Sequence, residues 1–323
     1  MSCLTPMRVP DKISGLSIRV PCGRCAGCLV DKRREWHFRI MAELKTAWSA
    51  YFVTLTYDNA HLPVFIEDQY FRAGELFKNQ STLNKVLNEH PVLYKKDIQD
   101  FLKRLRWYSG DAQYMDCTYD LNKSGTKVSL KTKVSKIAPK GPNLRYFIVG
   151  EYGGRFGRPH YHALLFNVPI VKDISKFIEF CWQNGTNIHV GSLQDKSVLY
   201  TVSYLIMDLL GKQDIVKLQS LKPGIGYSYV KTHKDYHRLN KINYGRIGST
   251  KVKLPAYFRN KIFSNFEKQI MSIETRKEVL RKEKEFEDEC IKRGESPHLN
   301  RFEYIKQKTA EIREKAKNQK HKK

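Results

Sequence analysis

The middle of the chain carries two apolar runs, Leu144-Arg-Tyr-Phe-Ile-Val-Gly150 and His160-Tyr-His-Ala-Leu-Leu-Phe166. The connecting residues 151–159 include three glycines, two arginines and a proline, a composition typical of a turn. Runs rich in β-branched and aromatic residues favour strands, and so short a connection requires them to be antiparallel. The sequence therefore predicts an antiparallel hairpin with a long, basic tip.

The flanking sequence predicts further strands and helices around this hairpin. Strands are expected over residues 51–57 and 187–190. Apolar residues spaced three and four apart predict helices over residues 31–48, 96–107, 174–182 and 198–210. Asp97 is expected to cap the second of these helices. Together the elements predict an α+β fold, with helices on one face of a central antiparallel sheet and a metal on the other.

Composition divides the chain into four predicted segments. They are a Cys-rich segment with a basic helix over 1–45, a core over 46–212, an accessory basic and aromatic region over 213–263, and a charged helical tail over 264–323. Within the core, residues 109–143 are polar and weakly patterned, so they are predicted to be a flexible insertion.

The overall composition indicates a folded protein with a polyanionic partner. The chain has 323 residues, of which 41% are hydrophobic, so it can form a sizeable core. A net charge of +25 favours nucleic acid as the partner. We expect no membrane partner, because the sequence contains neither a bilayer-length apolar run nor the apolar core of a signal peptide. An odd number of cysteines, seven, favours a reducing compartment.

His160 and His162 are candidate metal ligands. Side chains two apart project from the same face of a strand, so both imidazoles can reach one ion. Glu151, at the end of the neighbouring strand, can complete a mixed oxygen and nitrogen site that suits Mg²⁺ or Mn²⁺. The plainer alternative is a chance His-x-His pair in a chain that has ten histidines.

Tyr200 and Tyr204 are candidate nucleophiles. They lie four apart on a predicted helix, so both phenols can face one spot. Tyrosine can form covalent intermediates when a metal or a base assists it, because its ordinary pKa of about 10 makes it a poor nucleophile at neutral pH. The alternative is that both rings simply pack on the sheet.

Cys22, Cys25 and Cys28 fall within seven residues and form a candidate zinc site. Either Cys3 or His37 can supply a fourth ligand to structural Zn²⁺. The alternative is three reduced thiols in a turn-rich segment.

Taken in chain order, these motifs resemble those of the HUH-superfamily rolling-circle replication initiators. The shared motifs are Phe52-Val-Thr-Leu-Thr-Tyr57, Gly150-Glu-Tyr152, Arg158-Pro-His-Tyr-His162 and the tyrosine pair. The sequence is most similar to the initiators of gokushoviruses, a group of the Microviridae. With these it shares the blocks Pro21-Cys-Gly-Arg-Cys-Ala-Gly-Cys28, Lys222-Pro-Gly-Ile-Gly226 and Leu254-Pro-Ala-Tyr-Phe258. The resemblance covers residues 1–263 and excludes the charged tail.

The resemblance implies a sheet of the HUH endonuclease type and a nicking activity. It implies that Glu151, His160 and His162 bind Mg²⁺ or Mn²⁺. Tyr200 and Tyr204 would be the nucleophiles that nick single-stranded origin DNA of a small bacteriophage. Nicking would leave a 5′-phosphotyrosine and a free 3′-hydroxyl primer, and rejoining would follow. A host polymerase would extend the primer in the cytoplasm of the bacterial host. A host helicase would unwind the duplex, since the chain has no Walker motif.

The same resemblance suggests which residues contact DNA. The basic candidates are Arg155, Arg158 and Lys212, and the aromatic residues expected to stack on bases are Tyr152, Phe156 and Tyr161. Relatives often carry lysines within or just after the tyrosine motif, where this chain has Ser203 and Met207. Lys212 is the substitute nearest to that position.

Two alternative functions remain open from the sequence. One is a transposase of the HUH type that uses a single tyrosine, which the paired tyrosines disfavour. The other is a metal-containing DNA-binding protein that does not cleave. A covalent adduct between protein and DNA would separate the enzymes from the binding protein.

Overall fold

The computed structural model describes residues 3–10, 17–66, 68–76, 91–110, 113–121, 128–137, 143–153, 157–205 and 216–321. The chain divides into two compact units. We call the first the helical unit; it comprises Met1–Arg39, Val202–Gln213 and Gly226–Lys323. We call the second the sheet unit; it comprises Ile40–Thr201 and Asp214–Ile225.

The described residues form the following strands and helices. The strands are β1 (Met7–Pro10), β2 (Ser17–Val20), β3 (Ala50–Thr56), β4 (Pro63–Ile66), β5 (Gln69–Arg72), β6 (Gln113–Leu121), β7 (Val128–Ile137), β8 (Arg145–Tyr152), β9 (Pro159–Phe166), β10 (His189–Ser192), β11 (Lys217–Gln219), β12 (Tyr244–Ile247) and β13 (Thr250–Lys253). The helices are α1 (Ala26–Leu44), α2 (Ala73–Leu76), α3 (Lys95–Gly110), α4 (Ile174–Trp182), α5 (Asp195–Ser203), α6 (Tyr227–Leu239), α7 (Ala256–Ile262), α8 (Asn265–Lys292) and α9 (Pro297–His321). None of these helices combines the length and the apolar character needed to cross a membrane.

A five-stranded antiparallel sheet forms the centre of the sheet unit, in the order β10-β3-β9-β8-β11. The predicted hairpin is confirmed as β8 and β9, which pair along their full length. Strand β9 lies between β3 and β8, so its residues have neighbours on both sides. Glu151 pairs directly with His160, and Thr54 pairs with His162.

One face of the sheet packs against helices α3 and α4. Residues that alternate along the strands, such as Leu55, Tyr161 and Leu165, are fully buried there in one hydrophobic cluster. The Trp182 ring packs edge-on against Tyr161, and its indole N–H donates to the carbonyl of Thr56 at 2.7 Å. Because side chains alternate between faces, the histidines on either side of Tyr161 project from the opposite face. The expectation of helices on one face of an antiparallel sheet is confirmed.

Helix boundaries differ from the predicted ones by a few residues. Helix α4 begins and ends as predicted, whereas α1 begins five residues earlier than expected and α5 begins three residues earlier, at Asp195. Helix α5 ends at Ser203, and most of the remaining predicted helix, residues 206–210, lies outside the described residues.

The predicted cap at Asp97 is wrong. Helix α3 begins two residues before it, so Asp97 lies within the first turn. The buried Asp97 carboxylate instead accepts a hydrogen bond from the Tyr57 hydroxyl at 2.7 Å and forms an ion pair with Arg72. An ionised carboxylate inside a hydrophobic cluster requires such partners.

Residues predicted to be a flexible insertion contain an antiparallel pair. Strands β6 and β7, within 109–143, form a two-stranded ladder with a register irregularity between Gln113 and Met115. The division into four segments remains a prediction.

An aromatic cluster lies at the centre of the helical unit. The rings of Phe38, Tyr229 and Phe258 have centroids 5.1 to 5.8 Å apart. Gly245 on β12 lies so close to this cluster that a Cβ placed on it would overlap Cζ of Phe38. The charged tail is helical, as predicted: α8 begins with a capping box between Ser264 and Glu267, and α9 follows it.

Candidate metal centre

The sheet brings the three predicted metal ligands together. Glu151 on β8 and His160 on β9 face each other, and His162 lies two residues further along the same face. Glu151 Oε1 is 2.7 Å from His160 Nε2 and 3.0 Å from His162 Nε2. The group is the kind that can hold a metal, because its three ligand atoms lie within 4.8 Å of one another.

Each imidazole is oriented by a partner of its outer nitrogen. His160 Nδ1 is 3.2 Å from the carbonyl oxygen of Arg158, and His162 Nδ1 is 3.2 Å from Oγ1 of Thr54. An imidazole that binds a metal through Nε2 carries its proton on Nδ1, so both rings donate to these oxygens. Such contacts fix the tautomer and direct both Nε2 lone pairs towards Glu151. Phe52 stacks on the His162 ring at a centroid distance of 5.7 Å, which further limits its rotation.

Glu151 supplies a negative charge to this group. Burial alone would raise the pKa of the Glu151 carboxyl, but its hydrogen bonds with His160 and His162 outweigh burial and lower the pKa to about 2. The carboxylate is therefore ionised at neutral pH. One carboxylate and two imidazoles suit a divalent ion such as Mg²⁺ or Mn²⁺, and three protein ligands leave coordination positions open for a substrate. The donor set thus fits the predicted metal.

Tyr200 lies beside the ligands. It projects from α5, and its ring centroid is 5.1 Å from that of His162, in an edge-on arrangement. It also packs edge-on against Phe52 at 6.2 Å, and it is only half-buried. The structure therefore brings one of the two predicted nucleophiles to the metal ligands.

The second tyrosine belongs to a different part of the fold. Tyr204 lies in a tight turn just after α5, within the helical unit, and is 4% exposed. Its action together with Tyr200 stays a prediction.

A cleft opens beside His160. Its lining residues are Thr56, Tyr57, Asp58, Asn59, Arg158, Pro159, His160 and Asn187. The Arg158 guanidinium donates to Oδ1 of Asn59 at 2.7 Å and to the carbonyl of Tyr57 at 3.0 Å, so this predicted DNA contact shapes the wall of the cleft. The other two basic candidates, Arg155 and Lys212, lie outside the described residues.

The aromatic residues expected to stack on bases do not form one surface. Tyr161 is fully buried on the opposite face of the sheet and donates to the Tyr94 carbonyl at 3.0 Å, so its predicted DNA contact is wrong. The Tyr152 hydroxyl accepts the Leu93 amide hydrogen at 3.1 Å. Phe156 lies outside the described residues.

Thr54, Phe52 and Asn187 were missed by the sequence-based reasoning. Thr54 and Phe52 alternate along β3 on the face that carries the histidines, a signal that becomes readable only when β3 is known to neighbour β9. Asn187 comes from the segment before β10, on the far side of β3.

The four predicted zinc ligands also lie together, in the helical unit. The sulfur atoms of the group, Cys3, Cys22, Cys25 and Cys28, lie within 4.8 Å of one another. Cys3 is thus the fourth member of the group, and the alternative ligand His37 is not part of it. Burial would raise the pKa of the Cys22 thiol, but hydrogen bonds from the Thr5 hydroxyl and from backbone amides lower it to about 6.

Comparison with known proteins places this site in a family. The family model for the replication-associated protein ORF2 matches residues 50–208, a range that contains the metal ligands and both tyrosines. The chain is 27% identical to replication-associated protein ORF2 of Spiroplasma virus 4 over 261 residues, which is 74% of this chain and 66% of that protein. It is 24% identical to replication-associated protein VP4 of Bdellovibrio phage phiMH2K over 240 residues, which is 66% of this chain and 60% of that protein.

The chain spans less than two thirds of the length of each of these two relatives. No solved structure matches it. The family model covers four of the five strands of the sheet, from β3 to β10, together with α5, and the two viral proteins are homologues. The chain belongs to the replication-associated protein ORF2 family.

Proposed function

We propose that this protein initiates rolling-circle replication of a small single-stranded DNA bacteriophage, by nicking one strand at the origin and later rejoining it. One observation carries the proposal. Glu151, His160 and His162 converge on one face of the sheet, and the Tyr200 ring lies 5.1 Å from that of His162. A metal centre beside a half-buried phenol is the arrangement that tyrosine transesterification of DNA requires.

Tyr200 is the proposed first nucleophile. Its phenolic oxygen attacks the phosphorus of the scissile phosphodiester, forms a 5′-phosphotyrosine and gives up its proton. The 3′ oxygen leaves, takes up a proton and becomes the primer for a host polymerase. A divalent cation, when bound, polarises the phosphate and stabilises charge on its non-bridging oxygens. The exchange conserves a phosphodiester bond, so nicking and joining need no ATP.

The protein's own residues orient the reacting groups. The Arg158 carbonyl and the Thr54 hydroxyl hold the two imidazoles, and Phe52 packs against both His162 and Tyr200. Tyr204 is the proposed second nucleophile, which cleaves the regenerated origin while the released 3′-hydroxyl attacks the Tyr200 adduct.

The cleft beside His160 is the proposed binding site for the nucleotide next to the scissile phosphate. Its walls carry the side-chain amides of Asn59 and Asn187, which both donate and accept hydrogen bonds. The net charge of +25 supports binding of the sugar-phosphate backbone, to which Arg155, Arg158 and Lys212 are the proposed local contributors. A host helicase is the proposed source of unwinding, in the cytoplasm of the bacterial host.

A covalent-adduct assay tests the proposal. The protein is incubated with end-labelled single strands from a phage origin and Mn²⁺, and the products are run on a denaturing gel. We expect a slowly migrating protein–DNA adduct that Tyr200→Phe abolishes. Tyr236→Phe is the matched control, because Tyr236 lies exposed on α6 and should leave the adduct unchanged.

Three other outcomes would contradict parts of the proposal. Tight, salt-dependent binding with no adduct on any strand would make the protein a non-cleaving DNA-binding protein. An adduct that forms in the His160→Ala variant would refute the metal assignment. Strand transfer that is unchanged by Tyr204→Phe would indicate a single-tyrosine enzyme of the transposase type.

A further inference from the structure

We propose that Cys3, Cys22, Cys25 and Cys28 bind one structural Zn²⁺, which holds the N-terminal hairpin onto the start of α1. This site is separate in sequence, ligand type and structural unit from the Glu151, His160 and His162 centre. It therefore stands or falls independently of the nicking activity.

The sulfur positions match a tetrahedral zinc site. Zn²⁺ binds thiolates at about 2.3 Å, so two sulfur atoms on a regular tetrahedron lie about 3.8 Å apart. The Sγ atoms of Cys25 and Cys3 are 3.8 Å apart. All four cysteines are free thiols, and their sulfur atoms lie within 4.8 Å of one another.

Backbone amides already surround the sulfur atoms as donors. The amide hydrogens of Leu4, Cys22 and Cys25 point at the sulfur atoms of Cys25, Cys3 and Cys22 respectively, each at 3.3 Å. Amide donors stabilise the negative charge of metal-bound thiolates and orient them. Cys25 and Cys28 also lie at the first turn of α1, where the helix dipole favours thiolates.

The burial of the cluster indicates a structural role. Cys3 and Cys28 are only 8% and 9% exposed, so a bound ion would be closed off by its four protein ligands. A catalytic zinc site would keep one position open for water or substrate.

The topology explains why this segment needs a metal. Cys3 precedes β1, Cys22 follows β2, and the other two cysteines lie at the start of α1, so the cluster joins both ends of the hairpin to the helix. The two strands have four residues each, half-buried or exposed, and an isolated two-stranded hairpin is marginal in water. In the described residues the hairpin is also tied by Arg19, whose guanidinium donates to both carboxylate oxygens of Glu283 on α8.

Metal analysis of the purified full-length chain tests this assignment. We expect one zinc per chain in the wild-type protein and in Glu151→Gln, and none in Cys25→Ser or Cys28→Ser. Cys290→Ser is the matched control, because Cys290 is a buried cysteine on α8 outside the cluster and its loss should leave the zinc content at one. Replacement of zinc by Co²⁺ in the wild-type chain should give the sulfur-to-metal charge transfer and visible bands of a tetrahedral tetrathiolate.

A local measurement guards against variants that simply fail to fold. In hydrogen exchange of Cys25→Ser, peptides over 17–30 should exchange faster, whereas peptides over the β9 strand should be unchanged. Loss of protection over β9 as well would refute a role confined to the hairpin. The assignment is also refuted by zinc that persists in both cysteine variants, by iron with acid-labile sulfide, or by wild-type protein from zinc-replete medium that contains no zinc and binds no Co²⁺.

Discussion

Replacing Thr54 by valine removes one hydroxyl and leaves a side chain of nearly the same shape. The Thr54 Oγ1 atom is 3.2 Å from His162 Nδ1, and it holds the ring so that Nε2 faces Glu151. In the variant the Nδ1 hydrogen loses its acceptor in a buried position. We therefore expect weaker metal binding with the fold intact.

The size of the effect follows from what remains. Loss of a partner that orients a metal-binding histidine typically weakens metal binding about 10- to 100-fold. Phe52 still stacks on the His162 ring at 5.7 Å, and His160 keeps its bond to the Arg158 carbonyl. One neutral hydrogen bond contributes about 1 kcal/mol. We therefore expect the lower end of the range, about 10-fold, or about 1.4 kcal/mol of binding free energy.

Titration of free Mn²⁺, followed by its electron paramagnetic resonance signal, measures the affinity directly. Thr56→Val is the matched control: it lies two residues along the same strand and face, but its hydroxyl donates to the Asn187 carbonyl and not to a metal ligand. Thr54→Ser should restore most of the affinity, and nicking by Thr54→Val should recover at saturating Mn²⁺. Equal affinities for Thr54→Val and Thr56→Val would refute the reasoning.

Three further predictions concern stability. Asp97→Asn should lower the free energy of unfolding in urea by about 3 kcal/mol, because it removes the charge from a buried ion pair with Arg72, whereas Asp100→Asn on the same helix should cost under about 1 kcal/mol because Asp100 pairs with exposed lysines. The folded-state pKa of Glu151 lies below the ordinary 4.5, so in metal-free protein its charge stabilises the fold above that pH. The stability advantage over Glu151→Gln should therefore shrink as the pH falls from 4.5 towards 2, and an advantage that grows would contradict this sign. Gly245→Ala should lower the melting temperature at a cost of about 1–3 kcal/mol, because the new methyl group meets the Phe38 ring; an unchanged melting temperature would mean that the ring moves freely.

The metal ligands were predictable because strand alternation is a local rule. His160 and His162 share a face whatever the rest of the fold does, and a hairpin places the residue at the end of one strand beside the start of the next. The same rule places Tyr161 on the opposite face, so the expectation that it contacts DNA followed its chemical type and ignored its position.

The surroundings of the ligands were not predictable, because they depend on which distant segments become neighbours. Thr54 reaches His162 only because β3 pairs with β9, across more than a hundred residues of chain. The choice of Cys3 over His37 likewise depends on how the first residues return to the start of α1. Asp97 was misassigned because α3 begins two residues earlier than its apolar pattern indicated, and its carboxylate therefore faces Arg72.

The pairing of Glu151 with His160 and of Thr54 with His162 couples correct folding to chemical competence. A slip of β9 by one residue against its neighbours would turn both imidazoles into the hydrophobic side of the sheet and bring Tyr161 out in their place. A molecule misassembled in this way would capture no cation and cut no strand. Errors in assembly would therefore produce inert copies rather than nucleases that damage the DNA they were made to copy.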